Sequence, residues 1–180
     1  MNRIKLHDKV FEVSIPSDRI LEAVQKAAAK INNDYTDADC PVFLSVLNGS
    51  FMFTSDLIKN INFQCEISFT KLASYDGTST TGKVNELIGI TKSLENRTVI
   101  IVEDIIDTGT TLEKLIEVVG AQKPKEIKIA TFLFKPDAYK KNIPIDYVGM
   151  EIPNDFIVGY GLDYQELGRN LKDIYTLVVE

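Results

Sequence analysis

The stretch Val99-Ile100-Ile101-Val102-Glu103-Asp104-Ile105-Ile106-Asp107-Thr108-Gly109-Thr110-Thr111-Leu112 carries several signals in a row. Residues 99–102 are an unbroken run of β-branched apolar side chains, the pattern of a strand buried on both faces. Two acids, Glu103 and Asp104, follow that run. Asp107-Thr108-Gly109-Thr110-Thr111 then turns the chain into a helix from about Thr110 to Val119, ending at Gly120. Gly109 permits a tight turn. Backbone N–H groups at a helix start point outward, and the hydroxyls of Thr108, Thr110 and Thr111 add donors. The segment therefore predicts a phosphate cradle that contains no lysine. It is not the loop of ATP-hydrolysing proteins, because no Gly-Lys-Ser/Thr follows, and a single glycine does not make a dinucleotide fingerprint. An ordinary helix cap by Asp107 or Thr108 accounts for the same residues. The Glu103-Asp104 pair weighs against that alternative. Two carboxylates at the end of a buried strand cost free energy unless a cation or hydroxyl groups meet them. Ribose hydroxyls and a magnesium ion suit that role.

The flanking sequence repeats the strand-then-helix rhythm. Pro41 to Leu47 is a second apolar run, Asn48-Gly49-Ser50 turns the chain, and a helix follows through Phe53, Leu57 and Ile58. Cys65–Leu72, Ile127–Phe134 and about Ile145–Met150 read as further strands. Val10, Phe11 and Val13 form a short strand or arm. Ser17 is the expected cap of a helix whose apolar positions Ile20, Leu21, Val24, Ala27, Ala28 and Ile31 recur at helical spacing until Asn32-Asn33-Asp34 ends it. Residues 73–84 are rich in Ser, Thr and Gly and predict a mobile loop. Alternating strands and helices predict an α/β fold with a mainly parallel central sheet flanked by helices. Ligands of such sheets bind at the carboxyl ends of the strands. The informative loops are thus those after Leu47, Val102 and Phe134, where Lys135 stands as a lone cation.

The chain has 180 residues and a formal net charge of −6, which suits one domain over 1–180 and argues against a nucleic-acid partner. No segment is long and apolar enough for a membrane span, and no signal peptide is visible. Cys40 and Cys65 lack metal-ligand spacing and read as buried thiols of a cytoplasmic protein. With His7 as the sole histidine, a histidine-based metal site is not expected.

Glu-Asp-Ile-Ile-Asp-Thr-Gly, residues 103–109, resembles the ribose-phosphate signature of the type I phosphoribosyltransferases, in the branch that acts on 6-oxopurines. The resemblance runs from about Asp8 to the C-terminus. It implies the family fold, with a small hood built from the N- and C-terminal segments. It further implies that Glu103 and Asp104 meet the ribose hydroxyls, partly through Mg2+, and that Asp107, Thr108, Gly109, Thr110 and Thr111 hold the 5′-phosphate. Asp107 would be the proton acceptor at purine N7. Lys135 would donate to O6, Phe156 would stack on the ring, and the Ile157 carbonyl would accept from its edge. Asp163 would hold a second magnesium near the exocyclic amine position of guanine. Leu47, Asn48 and Gly49, with Arg169, would bind pyrophosphate, the loop often carrying a cis peptide after its first residue. Ser74 and Tyr75 would head a lid that excludes water. Two positions depart from the pattern of many relatives: Asn48 and Thr110 stand where a basic side chain is found. The implied reaction joins 5-phosphoribosyl 1-diphosphate to N9 of hypoxanthine or guanine, in a homodimer or homotetramer. The alternatives are a nucleotide-sensing RNA-binding relative and a same-fold transferase preferring xanthine.

Overall fold

The computed structural model describes residues 3–72 and 86–178. In chain order the elements are β1 (Arg3–Leu6), β2 (Lys9–Ile15), α1 (Ser17–Asp34), β3 (Val42–Val46), α2 (Phe51–Lys59), β4 (Glu66–Leu72) and β5 (Glu86–Ile88). They continue with β6 (Thr98–Ile106), α3 (Thr110–Gly120), β7 (Glu126–Phe134), β8 (Tyr147–Glu151), β9 (Ile157–Val158) and β10 (Ile174–Leu177).

The apolar run 99–102 is explained by side-chain alternation across a sheet covered on both faces. Ile100 and Val102 join the core shared with α1 and α2, while Val99 and Ile101 join the core shared with α3. All four are fully buried, and each such side chain contributes roughly 1.5–3 kcal/mol relative to exposure. The large sheet has the order β5-β4-β3-β6-β7-β8. Its neighbours pair in parallel from β4 through β8, and β5 adds an antiparallel edge. β6 therefore occupies the interior of the sheet, and its carboxyl end opens between those of β3 and β7.

The hood is a separate four-stranded antiparallel sheet in the order β1-β2-β10-β9. Its small core is Phe11, Val158 and Tyr175, with Leu6, Val13 and Tyr164 packed against it. Two-residue β9 and four-residue β10 are too short to show a periodicity of their own.

Ser17 is not the cap of α1. It is the first helical residue, the cap position belongs to Pro16, and no side chain of the cap bonds there. The Ser17 N–H instead donates to Asp173 Oδ1 at 2.7 Å, so a carboxylate from the far end of the chain satisfies the helix start. β8 begins at Tyr147, later than Ile145, because Asp146 breaks the run. Its carboxylate accepts from Ile129 N–H at 2.9 Å and pairs with Lys128 Nζ at 2.9 Å. Cys40 and Cys65 are free and only partly buried. No helix among the described residues is long and apolar enough to cross a membrane.

Candidate active site

Neighbouring residues of a strand project to opposite faces, and the two acids of β6 serve different cavities. Glu103 lines a cavity of about 110 Å³ bounded by the turn from Asp107 to Leu112. Asp104 lines a larger one of about 250 Å³ that also holds Asp107, Lys135, Phe156, Ile157, Asp163 and Arg169. Seven side chains or backbone segments singled out from the sequence thus converge on one cleft, although the chain separates them widely. Asp155 and Leu162 line it too and were not anticipated. Asp155 directly precedes Phe156, which was the available signal.

Burial dominates the electrostatics of the acid pair. Glu103 is 6% exposed, and desolvation holds its carboxyl well above the usual range, with the neighbouring Asp104 charge adding to the effect. Asp104 is pushed up to about 6 by burial, against the opposing pull of the Ile105 N–H and the Arg169 guanidinium. That N–H donates to Asp104 Oδ1 at 2.8 Å.

The turn from Asp107 to Thr111 starts α3 with Gly109 at the cap position, in the left-handed region at φ 83°. Only glycine enters that region without strain, and a Cβ there would also press on the Tyr139 ring. No side chain caps the helix. Asp107 and Thr108 are therefore not capping residues, and the first-turn N–H groups remain available to an anion. Thr108 Oγ1 and Thr110 Oγ1 lie 3.2 Å apart at the same mouth.

Freed from capping, Asp107 pairs with Lys135. Asp107 Oδ2 is 3.3 Å from Lys135 Nζ, the lysine side chain 10% exposed and the aspartate 47%. Lys135 is placed by its own N–H, which bonds the Ile106 carbonyl at 3.0 Å across the ends of β6 and β7. Phe156 presents a ring that is 47% exposed at the cleft. The hood supports it from behind: Phe11 lies 6.1 Å away, Tyr164 meets it edge-on at 5.8 Å, and Lys9 Nζ stands 5.8 Å from its centroid. Lys9 is far from Phe156 in sequence, and nothing in the sequence signalled the contact.

Asp163 and Arg169 form a unit. Arg169 Nη2 is 2.6 Å from Asp163 Oδ1, and Arg169 Nη1 donates to the Gly161 carbonyl at 2.9 Å. Asp163 Oδ2 accepts the Glu166 N–H at 2.8 Å. Across the cleft, the Leu47–Asn48 peptide is cis. A Cβ on Gly49 would overlap the Asp104 carboxylate, so glycine is required for the loop to lie this close to β6. Ser74 and Tyr75 lie outside the described residues.

Among the described residues, no three His, Cys, Asp or Glu side chains gather into a metal cage. Asp104 and Asp163 share the larger cleft, and Glu103 faces the neighbouring cavity. Magnesium commonly takes one or two carboxylates and completes its shell with substrate oxygens and water. The donor set fits a cation that arrives with an oxygen-rich substrate.

The phosphoribosyl transferase domain matches residues 16–165. The hypoxanthine-guanine phosphoribosyltransferase of Staphylococcus epidermidis is 42% identical over 176 residues, 97% of this chain and 98% of that protein. The protein of the same description from Staphylococcus aureus is 41% identical with the same coverage. A crystal structure of a hypoxanthine-guanine phosphoribosyltransferase from Bacillus anthracis, with a HEPES molecule in its active site, matches at TM-score 0.85 and 40% identity, covering 93% of this chain and 98% of that one. A hypoxanthine phosphoribosyltransferase structure from Staphylococcus aureus matches at TM-score 0.86 and 41% identity, with 96% and 94% covered. With a cleft at the carboxyl ends of a parallel sheet, a lysine-free turn into a helix beside it and relatives matched over nearly their full length, this chain belongs to the phosphoribosyltransferase family, in its hypoxanthine-guanine branch.

Proposed function

We propose that this chain transfers the 5-phosphoribosyl group of 5-phosphoribosyl 1-diphosphate to N9 of hypoxanthine, and of guanine, giving IMP or GMP and pyrophosphate. The observation that carries the choice of base is the Asp107–Lys135 pair, 3.3 Å apart in the cleft that Phe156 borders. On a 6-oxopurine, N7 and O6 are neighbours on one edge. A carboxylate and an ammonium held side by side match that edge: Asp107 accepts the N7 proton as N9 attacks, and Lys135 donates to O6. A 6-aminopurine would turn N–H donors toward the ammonium and offer it no acceptor on the base. Phe156 stacks on the ring, and the Ile157 carbonyl accepts from the far edge.

The 5′-phosphate sits on the free N–H groups of α3 and the hydroxyls of Thr108, Thr110 and Thr111, where the helix end favours an anion. Glu103 and Asp104 accept from the ribose hydroxyls, which lessens the cost of burying their charge. Arg169, oriented by Asp163, faces the pyrophosphate as the C1′–O bond loosens, together with the backbone of Leu47, Asn48 and Gly49. Magnesium bound with the donor and held by Asp104 and Asp163 would supply further positive charge to the leaving group.

The large sheet and hood act as one domain in the cytoplasm, a compartment consistent with two unpaired thiols. Ile67, Phe69 and Ile88, each about 40% exposed on β4 and β5, support assembly into a dimer or tetramer. Light scattering tests that part. The function is tested by steady-state kinetics with hypoxanthine, guanine, xanthine and adenine at fixed donor and magnesium. IMP and GMP formation with adenine excluded supports it, and turnover of adenine alone overturns it.

A further inference from the structure

The loop Leu47-Asn48-Gly49 has no charge of its own, and Ser50 after it has none either. It nevertheless abuts the buried acids of β6, since Gly49 lies against the Asp104 carboxylate. An anionic ligand at this loop meets an unfavourable field unless a cation is brought in from elsewhere.

The neighbouring strand supplies one. β3 and β4 run in parallel, and their register continues past the strand ends: the Leu47 N–H donates to the Thr70 carbonyl at 2.9 Å. The next residue of β4 is Lys71, and its Nζ donates to Asn48 Oδ1 at 3.2 Å in a partly buried contact. Each residue of the loop is thus held by a different structure. Leu47 is held by the Thr70 backbone, Asn48 by the Lys71 ammonium, and Gly49 by close approach to Asp104. On the opposite flank Arg169 donates to the Gly161 carbonyl, and Gly161 itself packs against the Gly49 carbonyl. Two cations bracket the loop, Lys71 by direct contact with Asn48 and Arg169 through Gly161.

We infer that Lys71 is a positioning residue for the diphosphate site: it holds Asn48 and provides from β4 the positive charge that the loop lacks. A compact ammonium with three donors can keep one on Asn48 and turn another to an anion at the loop. The amide of Asn48 thereby fixes where a long, flexible lysine stem ends. This inference rests on the loop binding pyrophosphate, as in the function proposed above, and adds the residue that charges it.

The test uses the full chain with magnesium present and inorganic pyrophosphate as the probe, alongside steady-state kinetics. Lys71→Met should weaken pyrophosphate binding about tenfold and raise KM for 5-phosphoribosyl 1-diphosphate by a similar factor. KM for hypoxanthine, whose site lies away from the diphosphate loop, should stay within about twofold. Lys71→Arg should retain most of the binding. The decisive variant is Asn48→Lys combined with Lys71→Met, which moves the charge onto the loop and should restore most of the lost affinity. A merely structural lysine would not be rescued in this way. Thermal melting identifies any variant that fails to fold, and Lys71→Arg and the double variant then carry the comparison. Unchanged pyrophosphate binding and donor KM in Lys71→Met, or a double variant as weak as the single one, overturns the role of Lys71. Failure of the unaltered protein to form IMP refutes the proposed function separately, and pyrophosphate titration still decides the role of Lys71.

Discussion

Asp104→Asn should stabilise the metal-free protein at neutral pH and lose that advantage in acid. Burial raises the Asp104 carboxyl from 3.8 to about 6. The folded chain therefore holds this proton more tightly than the unfolded chain does. The stability it contributes is full below the unfolded value, and it is lost as pH rises from about 4 through about 6. Two pH units at ~1.4 kcal/mol each place the cost of ionised Asp104 near ~3 kcal/mol at neutral pH. Asparagine keeps the shape and an oxygen for the Ile105 N–H, now at 2.8 Å from Asp104 Oδ1, and carries no charge. Glu103 lies next in sequence and is raised partly by the Asp104 charge, so relief of that repulsion acts in the same direction. Urea unfolding of both proteins in the presence of a chelator, at about pH 4.5 and about pH 7.5, should show the variant gaining roughly 2 kcal/mol relative to wild type across that interval. Stability curves that run parallel across the interval would refute the claim that Asp104 is held ionised at a cost. The same variant should lose turnover, since the proposed function has this carboxylate meet the ribose hydroxyls.

Asp107→Asn should lower kcat by roughly 10²-fold or more, because the amide cannot take the N7 proton; single-turnover IMP formation by rapid quench measures this, and an unchanged rate removes Asp107 from the role. Lys135→Met should depress kcat/KM for hypoxanthine by about 10²-fold and reduce it far less for adenine, since discrimination by a buried donor disappears with the donor; a base panel reads the ratio, and a parallel loss for both bases would show that Lys135 acts only on stability. Asp173→Ala removes the acceptor of the Ser17 N–H at 2.7 Å and should cost about 1 kcal/mol in urea unfolding with no change in KM for either substrate.

The core strands and the glycine turn into α3 were legible from residue order alone because their signals are local. A run of β-branched side chains has only a two-faced burial to satisfy it. Gly109 at φ 83° serves the turn that its neighbours already announced. The failures were equally physical. Ser17 has the side chain of a cap, but the group that satisfies the helix start is Asp173, far along the chain. Tyr147 rather than Ile145 opens β8: at Asp146 the Ile129 N–H is taken by the side-chain carboxylate, which also pairs with Lys128, so the regular ladder starts one residue later.

By itself, then, the sequence determined the parallel α/β fold, the turn from Asp107 to Thr111 and, through resemblance, the roll of side chains around it. Tertiary structure decided what those side chains do to one another. It sent Glu103 and Asp104 into different cavities, because neighbours on a strand face opposite ways. It released Asp107 from capping and set it beside Lys135. It also brought Lys71 to a loop that carries no charge. Contacts of this kind depend on strand register and sheet order, and those follow from packing the whole chain rather than from any one segment of it.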